Sequence, residues 1–152
     1  MQESKLIKIA KDIIKKNIHL TLATKDQDIP WATPLFYCAD DKFNFYFSSQ
    51  MDSLHVKYLL KNPTVAFAIF DSHQEEGTGN GIQASGKAFL VIDSEIKEVL
   101  KWYHTNFFEI GPKTFKGGSL YRLFKIVPDH FYIQNPDSKV DKRIEVRLLE
   151  RF

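Results

Sequence analysis

The segment Phe43–Phe70, FNFYFSSQMDSLHVKYLLKNPTVAFAIF, constrains this chain more than any other stretch. Phe43, Phe45 and Phe47 alternate with Asn44, Tyr46 and Ser48, the period of a strand that sets one face against a core. Hydroxyl-bearing and acidic residues follow, Ser48, Ser49, Asp52 and Ser53, and then a short helix is expected over residues 53–61. Asn62-Pro63 ends it, because the residue before proline is driven out of the α region, and Val65 to Phe70 resumes as a strand. Hydroxyls thus meet the free N–H groups of a helix's first turn, with His55 and Lys57 beside them, an arrangement suited to an anion such as a phosphate. An N-capped connecting helix with no ligand satisfies the same spacing.

The order Phe-Tyr-Phe-Ser-Ser, Ser53-Leu54-His55, Leu59-Leu60-Lys61-Asn62-Pro63 and an apolar strand resembles the FMN-binding core of the pyridoxamine 5'-phosphate oxidase-like split-barrel family. The resemblance implies that Ser48, Ser49, Ser53 and His55 occupy phosphate-side positions, with Lys57 nearby. Leu54 stands where the family often has arginine, and His55 where lysine is usual. Carried along the chain, the resemblance covers roughly residues 18–145. It sets Thr33, Pro34 and Leu35 along the flavin's ring and ribityl chain, makes Gln83 a hydrogen-bond partner for the ring, and makes Arg143 of Lys139-Val140-Asp141-Lys142-Arg143 a cofactor contact. Thr33 and Cys38 replace an arginine and a lysine of the vitamin-B6 oxidases, and Asp141 replaces their substrate histidine, which counts against that particular activity.

The expected fold is α+β: an antiparallel Greek-key split β-barrel of six or seven strands, with flanking helices over residues 3–17, 53–61 and 94–105. Leu6, Ile9, Ala10, Ile13 and Ile14 give the first helix one apolar face. A strand at residues 18–23 and another over 31–38 form a hairpin, and Pro34 within the second marks an edge, a bulge or a place facing a ligand. Residues 71–80 read as a polar surface loop, and Gly86 in the strand after it suggests a bulge or bend. Asp93 is the expected N-cap of the third helix, with Ile96, Val99, Leu100, Tyr103 and Phe107 as its apolar stripe. Strands over 121–127, 130–134 and 144–149 complete the barrel.

With 152 residues, 43% of them hydrophobic, the chain fits a single domain spanning 1–152. A formal charge of +2, from 21 basic and 19 acidic residues, argues against nucleic-acid or membrane binding through electrostatics. No signal-peptide core or membrane-length apolar run occurs, and one cysteine excludes an internal disulfide framework, so a cytoplasmic location is expected. His73, Glu75 and Glu76 lack a second ligand cluster, and no metal site is expected. Thirteen phenylalanines exceed the needs of one small core, and together with the resemblance they imply a homodimer with cofactor at its interface.

No nucleophile elbow, Gly-rich phosphate loop or Cys/His ligand pattern is found. A flavoenzyme needs none, because the cofactor carries the redox chemistry. Three functions therefore stand at this point: an FMN-dependent oxidoreductase acting on a small-molecule substrate; a flavin-, deazaflavin- or haem-binding dimer without turnover; and a barrel that holds an apolar ligand or only dimerises.

Overall fold

The computed structural model describes residues 2–148. Its elements in order are α1 (Gln2–Lys16), β1 (His19–Asp26), β2 (Ile29–Phe36), β3 (Cys38–Ala39), β4 (Phe45–Gln50), α2 (Leu54–Lys61), β5 (Thr64–Phe70), β6 (Gly81–Leu90), α3 (Asp93–Val99), β7 (Tyr121–Gln134) and β8 (Arg143–Glu145). All pairings are antiparallel, in the order β2-β1-β5-β6-β7-β4-β3, with β8 on β7. The two ends of that order are consecutive in the chain. The expected strand 31–38 is in fact split at Tyr37: its first part pairs with β1 and its second with β4, so the chain itself joins the sheet's two ends into a split β-barrel.

Pro34 lies on the edge strand β2, where its missing N–H costs no ladder bond. Leu20, Leu22, Phe45, Phe47, Val65, Phe67, Ile69, Phe131 and Ile133 fill the interior at alternate strand positions. Each such apolar side chain contributes roughly 1.5–3 kcal/mol on burial. Helix α1 packs Leu6, Ala10 and Ile13 onto this core. Helix α2 closes the barrel near the end of β1 with Val56 and Leu59, and Lys61 pairs with Asp26 across 3.5 Å.

Several expected boundaries shift for identifiable reasons. The strand expected from Phe43 starts at Phe45, since Phe43 has φ +64 within a turn organised by Asp40. The Asp40 carboxylate accepts bonds from Lys42 N, Asn44 N, Asn44 Nδ2 and the Tyr46 hydroxyl, each 2.9 Å long. The two strands expected on either side of Pro128-Asp129 are one 14-residue strand, β7. Its partner β6 shifts register between Ser85 and Gly86, where a bulge absorbs the irregularity. A Cβ on Gly86 would run into the backbone of Val127 and Pro128, which explains why glycine stands there.

The third helix is shorter than expected. It begins at Asp93, with Ile92 as N-cap, and ends at Val99; turns then carry the chain to Tyr103. Ile96, Val99 and Tyr103 join Tyr46, Val91, Phe115 and Leu123 in a second apolar cluster. Phe107 leaves that stripe and is 85% exposed. The last strand is confined to Arg143–Glu145, and Leu149 of its expected span lies outside the described residues. No helix among the described residues is long and apolar enough to cross a membrane.

Candidate functional site

β4 is covered on both faces, and this decides where its hydroxyls point. Phe45, Phe47 and Ser49 turn toward the barrel interior; Tyr46 and Ser48 turn toward the cluster beneath α3. Ser48 shares a 2.8 Å hydrogen bond with the hydroxyl of Tyr103, so it is held away from the face on which Ser49 lies. Ser49 Oγ shares a 2.7 Å hydrogen bond with Nε2 of His55, the second residue of α2, and both side chains are buried. The His55 ring lies tilted 6.2 Å from that of Phe47.

Ser53 is the N-cap of α2, but its side chain does not cap the helix: its hydroxyl donates to the Gln50 carbonyl at 2.7 Å. The first turn therefore keeps its N–H groups uncapped by that hydroxyl, and no acidic residue stands in it. Lys57 is exposed one turn further on. These features leave a positive helix end with the exposed Lys57 on the same short helix, an arrangement that can attract an anion.

His55 differs from the cation its position suggests. Burial pushes its imidazole below the ordinary value of 6.5, because the charged ring would lose its hydration. His55 is accordingly a neutral hydrogen-bonding group at pH 7, and the exposed ammonium on the same helix is Lys57.

The remaining candidates fall in three places. Thr33 and Leu35 face the barrel side of β2, and the hydroxyl oxygens of Thr33 and Thr24 are both buried without a hydrogen-bond partner. Pro34 and Gln83 lie on the outer face instead, in one cross-strand row Pro34–Thr21–Ala68–Gln83–Tyr132. Arg143 sits at the far end of the barrel. It pairs with Gln134, whereas Gln50 beside the Ser49 site pairs with Tyr121 at the opposite end of β7, about 40 Å away along the strand. There its guanidinium donates to the carbonyl of Gly79 at 2.9 Å. One chain thus joins Ser49 to His55, has Ser53 and Lys57 on the same α2 segment, and leaves Arg143 at the other end of β7.

Sequence reasoning missed Tyr103 as the partner of Ser48 and Thr24 as an enclosed hydroxyl. A signal existed for Thr24, since Leu20, Leu22 and Thr24 share the inward period of β1. None existed for Tyr103, because helical spacing names a stripe without naming the strand it meets. Among the described residues no group of three or more His, Cys, Asp or Glu side chains could hold a metal ion.

An antiparallel split barrel with a hydroxyl-rich strand end feeding a short helix defines a recognisable class. A sequence model described as pyridoxamine 5'-phosphate oxidase matches residues 6–135, and the chain belongs to that family. A UPF0306 protein of Pasteurella multocida is 28% identical over 97 residues, covering 63% of this chain and 65% of that relative's length. The fold is shared with a Clostridium acetobutylicum protein related to general stress protein 26, of the pyridoxinephosphate oxidase family, at 15% identity and TM-score 0.69 over 93% of each chain. It is shared also with a FAD-binding protein of Mesorhizobium loti, at 18% identity and TM-score 0.61 over 80% of this chain and 87% of that one.

Proposed function

We propose that this protein is a homodimeric FMN-binding flavoprotein that passes hydride or electrons between a reduced nicotinamide or other small molecule and an acceptor. The observation that carries the reading is the junction of β4 with α2: Ser49 and His55 joined across 2.7 Å, beside an N-terminal turn that the Ser53 hydroxyl leaves uncapped. The residues fit a flavin phosphate. Ser49 and Ser53 supply short polar groups, the α2 terminus supplies N–H groups, and Lys57 supplies charge. Family membership and the FAD-binding neighbour point to the same ligand class.

Bound flavin would supply reversible hydride and electron transfer, and the chain's task would be binding and orientation. The phosphate end would be fixed at α2, with the exposed edge of β2 at Thr33, Pro34 and Leu35 along the rest of the molecule and Gln83, in the same outer row as Pro34, offering its amide from β6. Arg143 is too far along β7 to serve the α2 site of its own chain, so as a flavin contact it would come from a second copy. The outer face of β1, β5 and β6, lined by the small residues Thr21, Ala66, Ala68 and Ser85, offers a flat surface for that copy. Asp141, in place of a substrate-binding histidine, and Thr33, in place of an arginine, speak against oxidation of a vitamin-B6 phosphate.

The test is direct. Protein purified without added cofactor should absorb as an oxidised flavin, and mass spectrometry of the released ligand should give FMN. Anaerobic addition of a reduced nicotinamide should bleach the flavin, and air should restore it. A colourless protein that takes up no flavin overturns the reading; a flavin that no reductant bleaches leaves a binding protein without turnover.

A further inference from the structure

Helix α1 carries two adjacent rows of side chains toward the loop that follows β5. Ile9 and Ile13 form one row, and Asp12 and Lys16, spaced in the same way, form the next. Between these rows, the loop over residues 71–80 and the end of β7 lies a cavity of about 410 Å3. Small-molecule sites range over roughly 300–1,000 Å3, so the space suits a ligand of modest size.

The loop wall is built by Gln74. Its amide donates to the carbonyls of Asp71 and Asn80, each at 3.0 Å, and accepts from Thr78 Oγ1 at 2.7 Å and Asn80 N at 3.1 Å. On the helix side Asn17 donates to the Ile13 carbonyl at 2.8 Å, and Lys5 ties α1 to the segment carrying Pro136 through a 3.3 Å bond to Asp137. These bonds shape the cavity and use up the groups that make them.

Three lining side chains are not used up. Asp12, Lys16 and Asn80 are exposed, and none of them forms a side-chain hydrogen bond or ion pair with another described residue. Asp12 and Lys16 stand where opposite charges on a helix are neighbours, yet they do not pair. A free carboxylate and a free ammonium side by side, next to an apolar row, complement a molecule of the reverse pattern. That molecule bears an ammonium and a carboxylate on one carbon, with an apolar side chain. An ion of one sign alone would meet a like charge in the wall, which disfavours simple amines and simple acids.

We propose that this cavity binds the zwitterion of a free α-amino acid with an apolar side chain. Lys16 takes the carboxylate, Asp12 takes the ammonium, and Ile9, Ile13 and Pro136 receive the side chain. The Asn80 amide serves either end, because it both donates and accepts. The site lies at the Gln134 end of β7, away from Ser49, and does not depend on the flavin reading.

The test is 15N-resolved amide NMR of the full chain with L-leucine and two molecules that share its skeleton: isoamylamine, which lacks the carboxylate, and isocaproate, which lacks the ammonium. L-leucine should shift the resonances of Asp12, Lys16 and Asn80 saturably, with a Kd of about 1 mM or below. Isoamylamine and isocaproate should each bind about tenfold more weakly, having lost one charge-assisted contact. Lys16→Gln and Asp12→Asn should each weaken L-leucine by about fivefold or more, and Lys8→Gln, outside the cavity, should leave it unchanged. No saturable shift up to about 50 mM L-leucine overturns the proposal. So do shifts confined to other residues, and so does an amine or acid that binds as well as the amino acid. A Lys8→Gln protein as weak as Lys16→Gln also overturns it, since overall charge would then account for the effect. Should a variant fail to fold, the three ligands on the wild-type protein still decide.

Discussion

The hydroxyls of Ser48 and Tyr103, 55 positions apart in the chain, lie 2.8 Å from one another and tie the outer face of β4 to the turn that follows α3. Two adjacent serines therefore have opposite duties: Ser48 secures the strand to its outer cover, and Ser49 faces α2. Tyr103→Phe should cost about 1 kcal/mol of stability in urea denaturation, the net value of one such bond. Ser48→Ala should cost a similar amount and leave the ratio of FMN to riboflavin affinity at its wild-type value. A Ser48→Ala protein that loses that ratio would assign Ser48 to the phosphate after all.

Gly86 meets the backbone of β7 where the barrel bends, so even a methyl group has nowhere to go. Gly86→Ala should lower stability by about 1–3 kcal/mol through forced backbone displacement. Gly77→Ala offers a comparison in which no atom lies within 4 Å of the added carbon, although its φ of +86 still carries a conformational cost. Thermal unfolding of the two variants separates steric from conformational penalties: an unperturbed Gly86→Ala protein would mean that the bulge can open freely.

His55 sets an acid limit on stability. Its folded pKa lies below the ordinary 6.5, so the unfolded chain binds the proton more readily. The native state pays no penalty above that value. As pH falls below it, proton uptake by the unfolded state lowers the stability, and the loss stops growing once pH has passed the folded pKa. Chemical denaturation from pH 7.5 to 5 should show this decline in wild type and a smaller one in His55→Gln. Equal slopes would mean that His55 titrates normally.

Most of the barrel was legible in the sequence because a strand with one buried face advertises itself by alternation, as Leu20-Thr21-Leu22 and Val65-Ala66-Phe67 do. Helix α2 was legible from Asn62-Pro63, and the bulge from Gly86. The end of α3 was not: Tyr103 and Phe107 continue the helical spacing, but after Val99 the chain turns to bring Tyr103 onto Ser48, a tertiary contact that local periodicity does not carry. The candidate site was legible as a set of residue types at α2, through resemblance. The protonation state of His55 was not, because it depends on burial against Phe47, and the separation of Arg143 was not, because it depends on which end of β7 each neighbour pairs with.

That separation makes a prediction about assembly. The protein should sediment as a dimer of 17.7 kDa chains, and Arg143→Ala should weaken flavin binding without dissociating it. Mixed dimers of Arg143→Ala with Ser49→Ala chains should contain one intact site in two, since the undamaged arginine of one chain meets the undamaged serine of the other. If every site in the mixed dimer binds weakly, Arg143 serves its own chain or none.

The central claim is that a phosphate is recognised where β4 runs into α2, and calorimetric titration of the apoprotein with FMN and with riboflavin tests it most directly. The two ligands differ only in the phosphate. FMN should bind at least about tenfold more tightly, a difference of about 1.4 kcal/mol. Equal affinity for the two, or binding of neither, would contradict the account.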